Sequence, residues 1–148
     1  MDKNEIIRDL PYGEDFLFVD EILDIDENGV RGTYTFKKNL QFYNSHFKDR
    51  PVTPAVMLTE TMAQIGLVCL GIFLTKESFK EGKISLAMTS NQLEFMKPVY
   101  PGEKIWVTSH KIFFRFNKLS CQVKMENSNG EIVSKGNIAG MLITKTDG

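Results

Sequence analysis

The sequence contains few of the residues from which metal sites, disulfide frameworks and catalytic triads are built. Among its 148 residues there are two cysteines, Cys69 and Cys121, and two histidines, His46 and His110. The cysteines lie in apolar stretches without a zinc-binding or disulfide-framework spacing, which favours a reducing cytoplasm. A glycine-rich phosphate loop and a G-x-S-x-G nucleophile motif are also missing. These absences exclude the usual signatures of nucleotide, metal and serine-hydrolase chemistry.

The charge balance argues against a nucleic-acid-binding surface. The chain carries 18 Lys and Arg residues against 19 Asp and Glu residues, and its formal net charge is −1. Bases are nevertheless concentrated in residues 97–118, where Glu103 is the one acid and the five bases are Lys97, Lys104, Lys111, Arg115 and Lys118. This local excess of positive charge can steer an acidic partner toward the protein.

Length and composition predict one domain over residues 1–148. A chain of this size that is 42% hydrophobic can bury a sizeable core. The first residues contain no apolar signal core, so we expect a cytoplasmic protein rather than a secreted one.

The most informative segment is a long apolar run over residues 53–74. Thr53 is a suitable N-cap and Pro54 a suitable first helical residue, so the run predicts a helix buried on most faces. Its length also permits a transmembrane span, but Glu60 and Gln64 within it make insertion into lipid costly. We therefore expect no membrane insertion.

The rest of the chain reads as strands rather than as alternating strands and helices. Strand-like segments are residues 16–19 leading into 22–25, then 30–36, 84–95, 105–116, 119–125 and 132–143. Asn28-Gly29 and Asn129-Gly130 are hairpin signals. We predict an α+β fold in which five to six antiparallel strands wrap one long central helix. Because such a sheet covers only part of the helix, we also expect self-association.

Two polar residues in this setting suggest acid–base chemistry. His46 lies in an aromatic-rich turn just before the helix, and Glu60 is an acid on an otherwise apolar helix face. Burial of a carboxyl group without a partner is costly, so its presence on this face suggests a function. Gln64 lies one helical turn away and could orient the carboxyl group. The N-terminal N–H groups of the helix, from Ala55 and Val56, can polarise a carbonyl. Both residues also have a purely structural interpretation. In that case His46 would be an ordinary loop histidine, and Glu60 would form a hydrogen bond with a partner subunit.

The order of these residues resembles a known enzyme family. The central motif reads His46-Phe47-x-x-Arg50-Pro51-Val52-x-Pro54-x-Val56 and continues to Glu60-x-Met62-Ala63-Gln64. It resembles the signature of the 3-hydroxyacyl-[acyl-carrier-protein] dehydratases of the FabZ type. The similarity extends upstream to Leu10-Pro11 and residues 16–20, and downstream to residues 95–102.

The resemblance implies a hot-dog fold and a defined reaction. The family forms homodimers, often assembled as trimers of dimers, with active sites at the dimer interface. By this resemblance His46 would remove the C2 proton of a (3R)-3-hydroxyacyl thioester, and Glu60 of the other protomer would protonate the departing C3 hydroxyl. Residue 55 would donate its backbone N–H to the thioester carbonyl. The substrate arrives on acyl-carrier protein, and no metal or organic cofactor is required.

Several positions depart from the family pattern. Lys48-Asp49 stands where Pro-Gly is common, Ala55 where Gly is common, and Tyr12 where His is typical. These departures suggest a specialised, polyene-type acyl chain as an alternative to an ordinary fatty-acid intermediate.

Further candidate residues would contact the acyl chain and the carrier. Gln64, with Ala55 and Val56, is a candidate substrate contact, and Lys97, Arg115 and Lys118 are candidate contacts of the acidic carrier protein. Apolar candidates for an acyl pocket are Met57, Met62, Met88, Met96, Phe113, Phe114 and Phe116.

Two alternatives remain open at the level of sequence. A hot-dog acyl thioesterase would use the helix carboxylate to direct water at the carbonyl, without need of His46. A non-catalytic carrier-binding subunit of a dehydratase heterodimer would need neither residue.

Overall fold

The fold is a six-stranded antiparallel sheet around one central helix. The computed structural model describes residues 2–76 and 84–144. Its strands are β1 Glu21–Asp26, β2 Gly29–Thr35, β3 Ile84–Phe95, β4 Lys104–Arg115, β5 Lys118–Glu126 and β6 Ile132–Thr144. Their order in the sheet is β1-β2-β4-β5-β6-β3. The predicted α+β class and the hot-dog arrangement are confirmed.

The central helix, Ala55–Thr75, consists of three consecutive parts. These are α2 Ala55–Ala63, a π-helical turn Gln64–Val68, and α3 Cys69–Thr75, with a short α1 at Lys3–Asp9 earlier in the chain. The helix is long and apolar enough to cross a membrane, but 72% of its apolar window is buried inside the protein. That burial is typical of a core helix. The predicted helix is therefore confirmed, although it begins one residue after Pro54.

Thr53 does not cap the helix as predicted. Its hydroxyl bonds the Tyr43 hydroxyl, and its backbone N–H donates to the Val99 carbonyl at 2.8 Å. Pro54 occupies the N-cap position and makes no side-chain capping bond. The start of the helix is thus fixed by contacts with the core, and its first N–H groups are left without a side-chain acceptor.

The N-terminal segment covers the face of the helix that the sheet does not reach. Residues 61–72 are all buried within the one chain. The predicted strand over residues 16–19 is wrong: a 3-10 turn spans Glu14–Phe16, and β1 begins at Glu21. The reason is that the Gln64 side chain accepts a hydrogen bond from the Phe18 N–H and donates one to the Phe16 carbonyl. These backbone groups are therefore not available to pair with a neighbouring strand. Because one chain already buries residues 61–72, the coverage of the helix does not by itself require a partner, and self-association stays a prediction.

Strand β3 is an edge of the sheet and its only described neighbour in the sheet is β6. From Met88 to Phe95 every side chain except Leu93 is exposed. An edge strand with unpaired backbone groups is a natural place for another chain to pair.

Candidate active site

The loop that carries His46 is held by three hydrogen bonds of that one residue. Its backbone N–H donates to the Phe42 carbonyl at 3.0 Å, and its carbonyl accepts the Val52 N–H at 2.9 Å. Its ring atom Nδ1 lies 3.0 Å from the Val52 carbonyl oxygen. The histidine is half-buried, and its ring stacks on Phe47 at a centroid distance of 4.1 Å. The position of the imidazole is therefore set by backbone contacts on both sides.

The Val52 contact decides the tautomer of His46. A carbonyl oxygen can only accept a hydrogen bond, so Nδ1 must carry the proton in the neutral ring. The other nitrogen, Nε2, then has a free lone pair. The contact thus orients the ring so that Nε2, the atom that could act as a base in the neutral form, is not the one bonded to the Val52 carbonyl.

Beyond His46 the chain makes a tight turn that includes the unusual Lys48-Asp49 pair. Phe47 and Arg50 exchange backbone hydrogen bonds of 3.0 and 3.3 Å, which close the turn. Lys48 and Asp49 are both exposed. The family departure at these two positions therefore lies in a solvent-facing turn, while the bonds that orient His46 involve neither side chain.

The first helical residues offer backbone donors. Met57 and Leu58 both donate to the Pro54 carbonyl, at 2.9 and 3.2 Å. The N–H groups of Ala55 and Val56 come before any possible intrahelical acceptor. Ala55 and Val56 are exposed, with Val56 73% exposed. These two N–H groups, at the positive end of the helix dipole, are accessible to a polar group of a ligand.

Glu60 is half-buried on the second turn of the helix. Burial raises the pKa of its carboxyl group, and the nearby Gln64 amide partly offsets that rise. Among the described residues no hydrogen bond or ion pair joins Glu60 to His46. A carboxyl group with a raised pKa keeps its proton to higher pH, which suits a general acid.

Gln64 is fully buried, and its amide is bonded at both ends to backbone. Oε1 accepts the Phe18 N–H at 2.8 Å and Nε2 donates to the Phe16 carbonyl at 2.9 Å. These two bonds fix the orientation of the amide and join the central helix to residues 16–18. The described hydrogen bonds of Gln64 are therefore those of a residue that positions this segment, and the amide is also near enough to Glu60 to lower the pKa of its carboxyl group. Its predicted contact with substrate stays a prediction.

Tyr12 is a neighbour of Glu60 that sequence reasoning did not assign to the site. Its ring contacts Phe16 at a centroid distance of 6.1 Å, and Phe16 is held by Gln64. Burial and then the Glu60 carboxylate raise the pKa of the Tyr12 phenol, which therefore stays protonated. The signal that could have found it is its replacement of the family's typical histidine.

The three candidate carrier-binding bases do not lie together. Arg115 and Lys118 are an in-register pair at the turn between β4 and β5. Lys97 lies near the opposite end of the sheet, where its ammonium group pairs with Glu131 at 2.9 Å. The length of β4, about 36 Å at 3.3 Å per residue, separates the two ends. Arg115 and Lys118 can act on one partner surface, and Lys97 is already neutralised by Glu131.

The apolar candidates for the acyl pocket lie in different parts of the structure. Met57 lines a cleft of about 490 Å³ beside Phe16, Phe18 and Phe42. Met62 is fully buried in the core, whereas Phe116 is 90% exposed at the β4–β5 turn. Met57 is thus a candidate that faces a cleft, whereas Phe116 faces solvent among the described residues.

Comparison with known proteins gives the family. The FabA-like domain family matches residues 10–134. The 3-hydroxyacyl-[acyl-carrier-protein] dehydratase FabZ of Sinorhizobium fredii is 32% identical over 99% of this chain and 92% of the relative. FabZ of Clostridium botulinum is 39% identical over 71% of both chains.

Solved structures with this fold include a dehydratase and a thioesterase. The dehydratase heterocomplex ApeI:P from Xenorhabdus doucetiae superposes with a TM-score of 0.75 over 96% of this chain and 93% of the other, at 13% identity. A hypothetical thioesterase from Streptococcus pneumoniae gives 0.64 over 86% and 88%, at 12% identity. These two likenesses show the fold alone, whereas the family match and the sequence relatives go further: the chain belongs to the FabA-like family, together with the FabZ 3-hydroxyacyl-[acyl-carrier-protein] dehydratases.

Proposed function

We propose that the protein is a hydro-lyase that dehydrates (3R)-3-hydroxyacyl thioesters on acyl-carrier protein to trans-2-enoyl thioesters. The reaction would serve fatty-acid biosynthesis or a specialised, polyene-type acyl chain, in the cytoplasm, and the chain would work as one hot-dog domain over residues 1–148. Family membership supports the reaction class. The single observation that carries the mechanism is the Nδ1 contact of His46 with the Val52 carbonyl, because it leaves Nε2 free as a base.

In the proposed reaction two groups move protons and a third polarises the substrate. His46 Nε2 takes the C2 proton, and the electrons of the C2–H bond form the C2–C3 double bond. The C3–O bond breaks as Glu60 gives its proton to the hydroxyl, which leaves as water. The Ala55 N–H, with Val56 beside it, stabilises the negative charge that develops on the thioester oxygen. No metal or organic cofactor takes part in these steps.

The protonation states of the two groups suit these roles. The base must start neutral and the acid must start protonated. Burial raises the pKa of Glu60, which favours its protonated form, and the contact of Nδ1 with the Val52 carbonyl leaves Nε2 without a bond to that carbonyl. Gln64 is proposed as the residue that positions Glu60.

We also propose that the site is completed by a second copy of the chain, in a homodimer or a trimer of dimers. The exposed edge strand β3 supports this assembly, because pairing of two such edges would extend the sheet across both copies. The absence of a described His46–Glu60 contact within one chain agrees with a site whose base and acid come from different protomers.

The function is tested by following two products from one thioester. Dehydration forms a conjugated enoyl thioester, which absorbs in the ultraviolet, whereas thioester hydrolysis releases a free thiol. We expect the absorbance to rise without thiol release, and His46→Ala and Glu60→Gln to lower the rate by about 10²- to 10⁴-fold each. Thiol release without absorbance change would mean a thioesterase. Binding of carrier without either product would indicate a non-catalytic subunit.

The shared site is tested by mixing inactive variants. In a dimer that contains one His46→Ala chain and one Glu60→Gln chain, one of the two shared sites keeps both native residues. Random pairing makes half of the dimers mixed, so co-expression should restore about a quarter of the wild-type activity. Two copies of His46→Ala with different tags serve as the inactive control. A mixture that stays inactive would contradict a site shared between protomers.

A further inference from the structure

The helix face that carries Glu60 continues with Gln64 and Cys69. Gln64 follows Glu60 by four residues, so the two side chains are neighbours on one face of the helix. The next turn is π-helical and one residue longer, and in it the Cys69 N–H donates to the Gln64 carbonyl, five residues back. This turn therefore places Cys69, rather than Val68, on the face of Glu60 and Gln64.

The N-terminal segment is bonded to this face close to Tyr12. The Gln64 amide donates to the Phe16 carbonyl at 2.9 Å. The Tyr12 ring contacts the Phe16 ring at a centroid distance of 6.1 Å and packs against the hydrophobic core. The ionisable groups that act on its phenol are Glu60 and Cys69, which flank Gln64 on the helix. Tyr12 therefore lies against the helix face that carries the acid.

The Tyr12 hydroxyl is available as a hydrogen-bond donor. Tyr12 is half-buried, and its hydroxyl has no hydrogen-bond partner among the described residues. Burial and the Glu60 carboxylate raise the pKa of the phenol, so it keeps its proton at every pH at which carboxyl and imidazole groups titrate. Burial also raises the pKa of the Cys69 thiol to about 12, so this neighbour stays neutral. Of these three groups, Glu60 is thus the one whose charge changes.

A donor beside Glu60 is most useful after the acid has lost its proton. In the proposed reaction Glu60 begins as a carboxylic acid and ends as a half-buried carboxylate. Hydrogen bonds to a charged group are stronger than those between neutral groups. A phenol that donates to this carboxylate therefore stabilises the transition state more than the bound substrate, which is the condition for a faster reaction.

We propose that Tyr12 is a positioning residue for Glu60, and that its hydroxyl donates a hydrogen bond to the Glu60 carboxylate as the acid protonates the departing C3 hydroxyl. The inference rests on the proposed function for the reaction in which Glu60 takes part. The phenol proton stays on its oxygen throughout. A histidine, typical of the family at this position, would change its own charge near neutral pH. Tyrosine keeps a donor there and removes a second titrating group from beside the acid.

The test measures the Glu60 carboxyl group directly and does not depend on turnover. In the full-length protein with carbon-13 in its glutamate carboxyl groups, the NMR signal of Glu60 is assigned by its loss in Glu60→Gln. Tyr12→Phe keeps the ring and removes the donor. We expect it to raise the pKa of Glu60 by about 1–2, because the carboxylate loses a hydrogen bond. We also expect kcat to fall by about 5- to 50-fold while KM stays within about 2-fold.

Two further variants separate this role from packing. Tyr34→Phe removes a phenol hydroxyl from the core, where the ionisable neighbours are Asp20 and Tyr43. It should change neither the pKa of Glu60 nor kcat. Tyr12→His places a ring that can donate from its neutral form, so it should recover part of the kcat that Tyr12→Phe loses.

The outcomes distinguish failure of the inference from failure of the proposed function. An unchanged pKa of Glu60 in Tyr12→Phe would overturn the inference, as would an equal rise in Tyr34→Phe. A fall in kcat together with a large rise in KM would also overturn it, because the hydroxyl would then serve substrate binding. A pKa of Glu60 that depends on Tyr12 in a protein without dehydratase activity would uphold the positioning role and reject the proposed function.

Discussion

Replacement of Gln64 by leucine tests whether its amide holds the N-terminal segment and the acid together. The substitution keeps the approximate volume of the side chain and removes its hydrogen bonds. In the native protein Gln64 bonds the Phe18 N–H at 2.8 Å and the Phe16 carbonyl at 2.9 Å. The substitution would leave both groups without this partner. Both the stability of the fold and the behaviour of Glu60 should change.

The magnitude follows from the exposure of the two backbone groups. An unsatisfied buried donor or acceptor costs about 1–3 kcal/mol. Phe18 is 2% exposed, so its N–H has no access to water, whereas Phe16 is 44% exposed and water can replace the amide at its carbonyl. We therefore expect Gln64→Leu to lower the free energy of unfolding by about 1–3 kcal/mol. That is a large fraction of the about 5–15 kcal/mol that stabilises a typical domain.

The assay is chemical denaturation at a fixed protein concentration, because association would otherwise change the apparent stability. Gln122→Leu is the matched control, since Gln122 is exposed on β5, and it should change stability by less than about 0.5 kcal/mol. Gln64→Glu adds a sharper test. Its carboxylate cannot donate to the Phe16 carbonyl and repels Glu60, so this variant should regain stability in acid, where the carboxyl is protonated. A loss below about 1 kcal/mol in Gln64→Leu would refute the reasoning.

Two further substitutions follow from burial and from close backbone contact. Burial raises the pKa of Glu60 above its ordinary value of 4.5, so the folded chain binds this proton more tightly than the unfolded chain and stability falls as the pH rises from that value through the folded pKa. Glu60→Gln should therefore flatten the decline of stability with pH in calorimetric scans, and an unchanged slope would contradict the burial argument. In Gly32→Ala the new Cβ would lie 2.8 Å from the Glu21 carbonyl oxygen and should cost about 1–3 kcal/mol. Gly13→Ala, with nothing within 4 Å of its Cβ, is the control and should stay within about 0.5 kcal/mol.

Elements with a clear local signal could be predicted from the sequence. The alternating segment at residues 84–95 is β3, and the long apolar run after Pro54 is the central helix. The Asn129-Gly130 signal marks a turn in which Gly130 has φ +76°. In each case the residues that decide the structure lie within a few positions of one another.

Contacts between distant residues account for the errors. Residues 16–19 have the composition of a strand, but Gln64, 46 residues beyond Phe18, takes the backbone bonds that would have extended the ladder. The residues near Lys97 in the sequence do not predict its salt bridge with Glu131, which lies 34 positions later. Lys97 lies far from Arg115 and Lys118 because β4 runs the length of the sheet between them, and the carrier contacts of all three stay predictions.

The candidate site falls between these two cases. The motif predicts that His46 and Glu60 belong together, and in the structure Val52 orients the imidazole while Gln64 lies beside the carboxyl group. The tautomer of His46 required the structure, because the contact with the Val52 carbonyl depends on the path of the turn. The relation between the two residues across protomers remains a proposal.

The most direct test of the central claim is intact mass spectrometry of a 3-hydroxyacyl-carrier protein after incubation with this protein in heavy-oxygen water. The account predicts a carrier lighter by one water, together with a hydroxyacyl carrier that has gained heavy oxygen at C3 through the reverse reaction. Both species should be absent with His46→Ala and with Glu60→Gln. Release of free carrier thiol with heavy oxygen in the liberated acid, or label-free unchanged substrate with the native protein, would contradict the account.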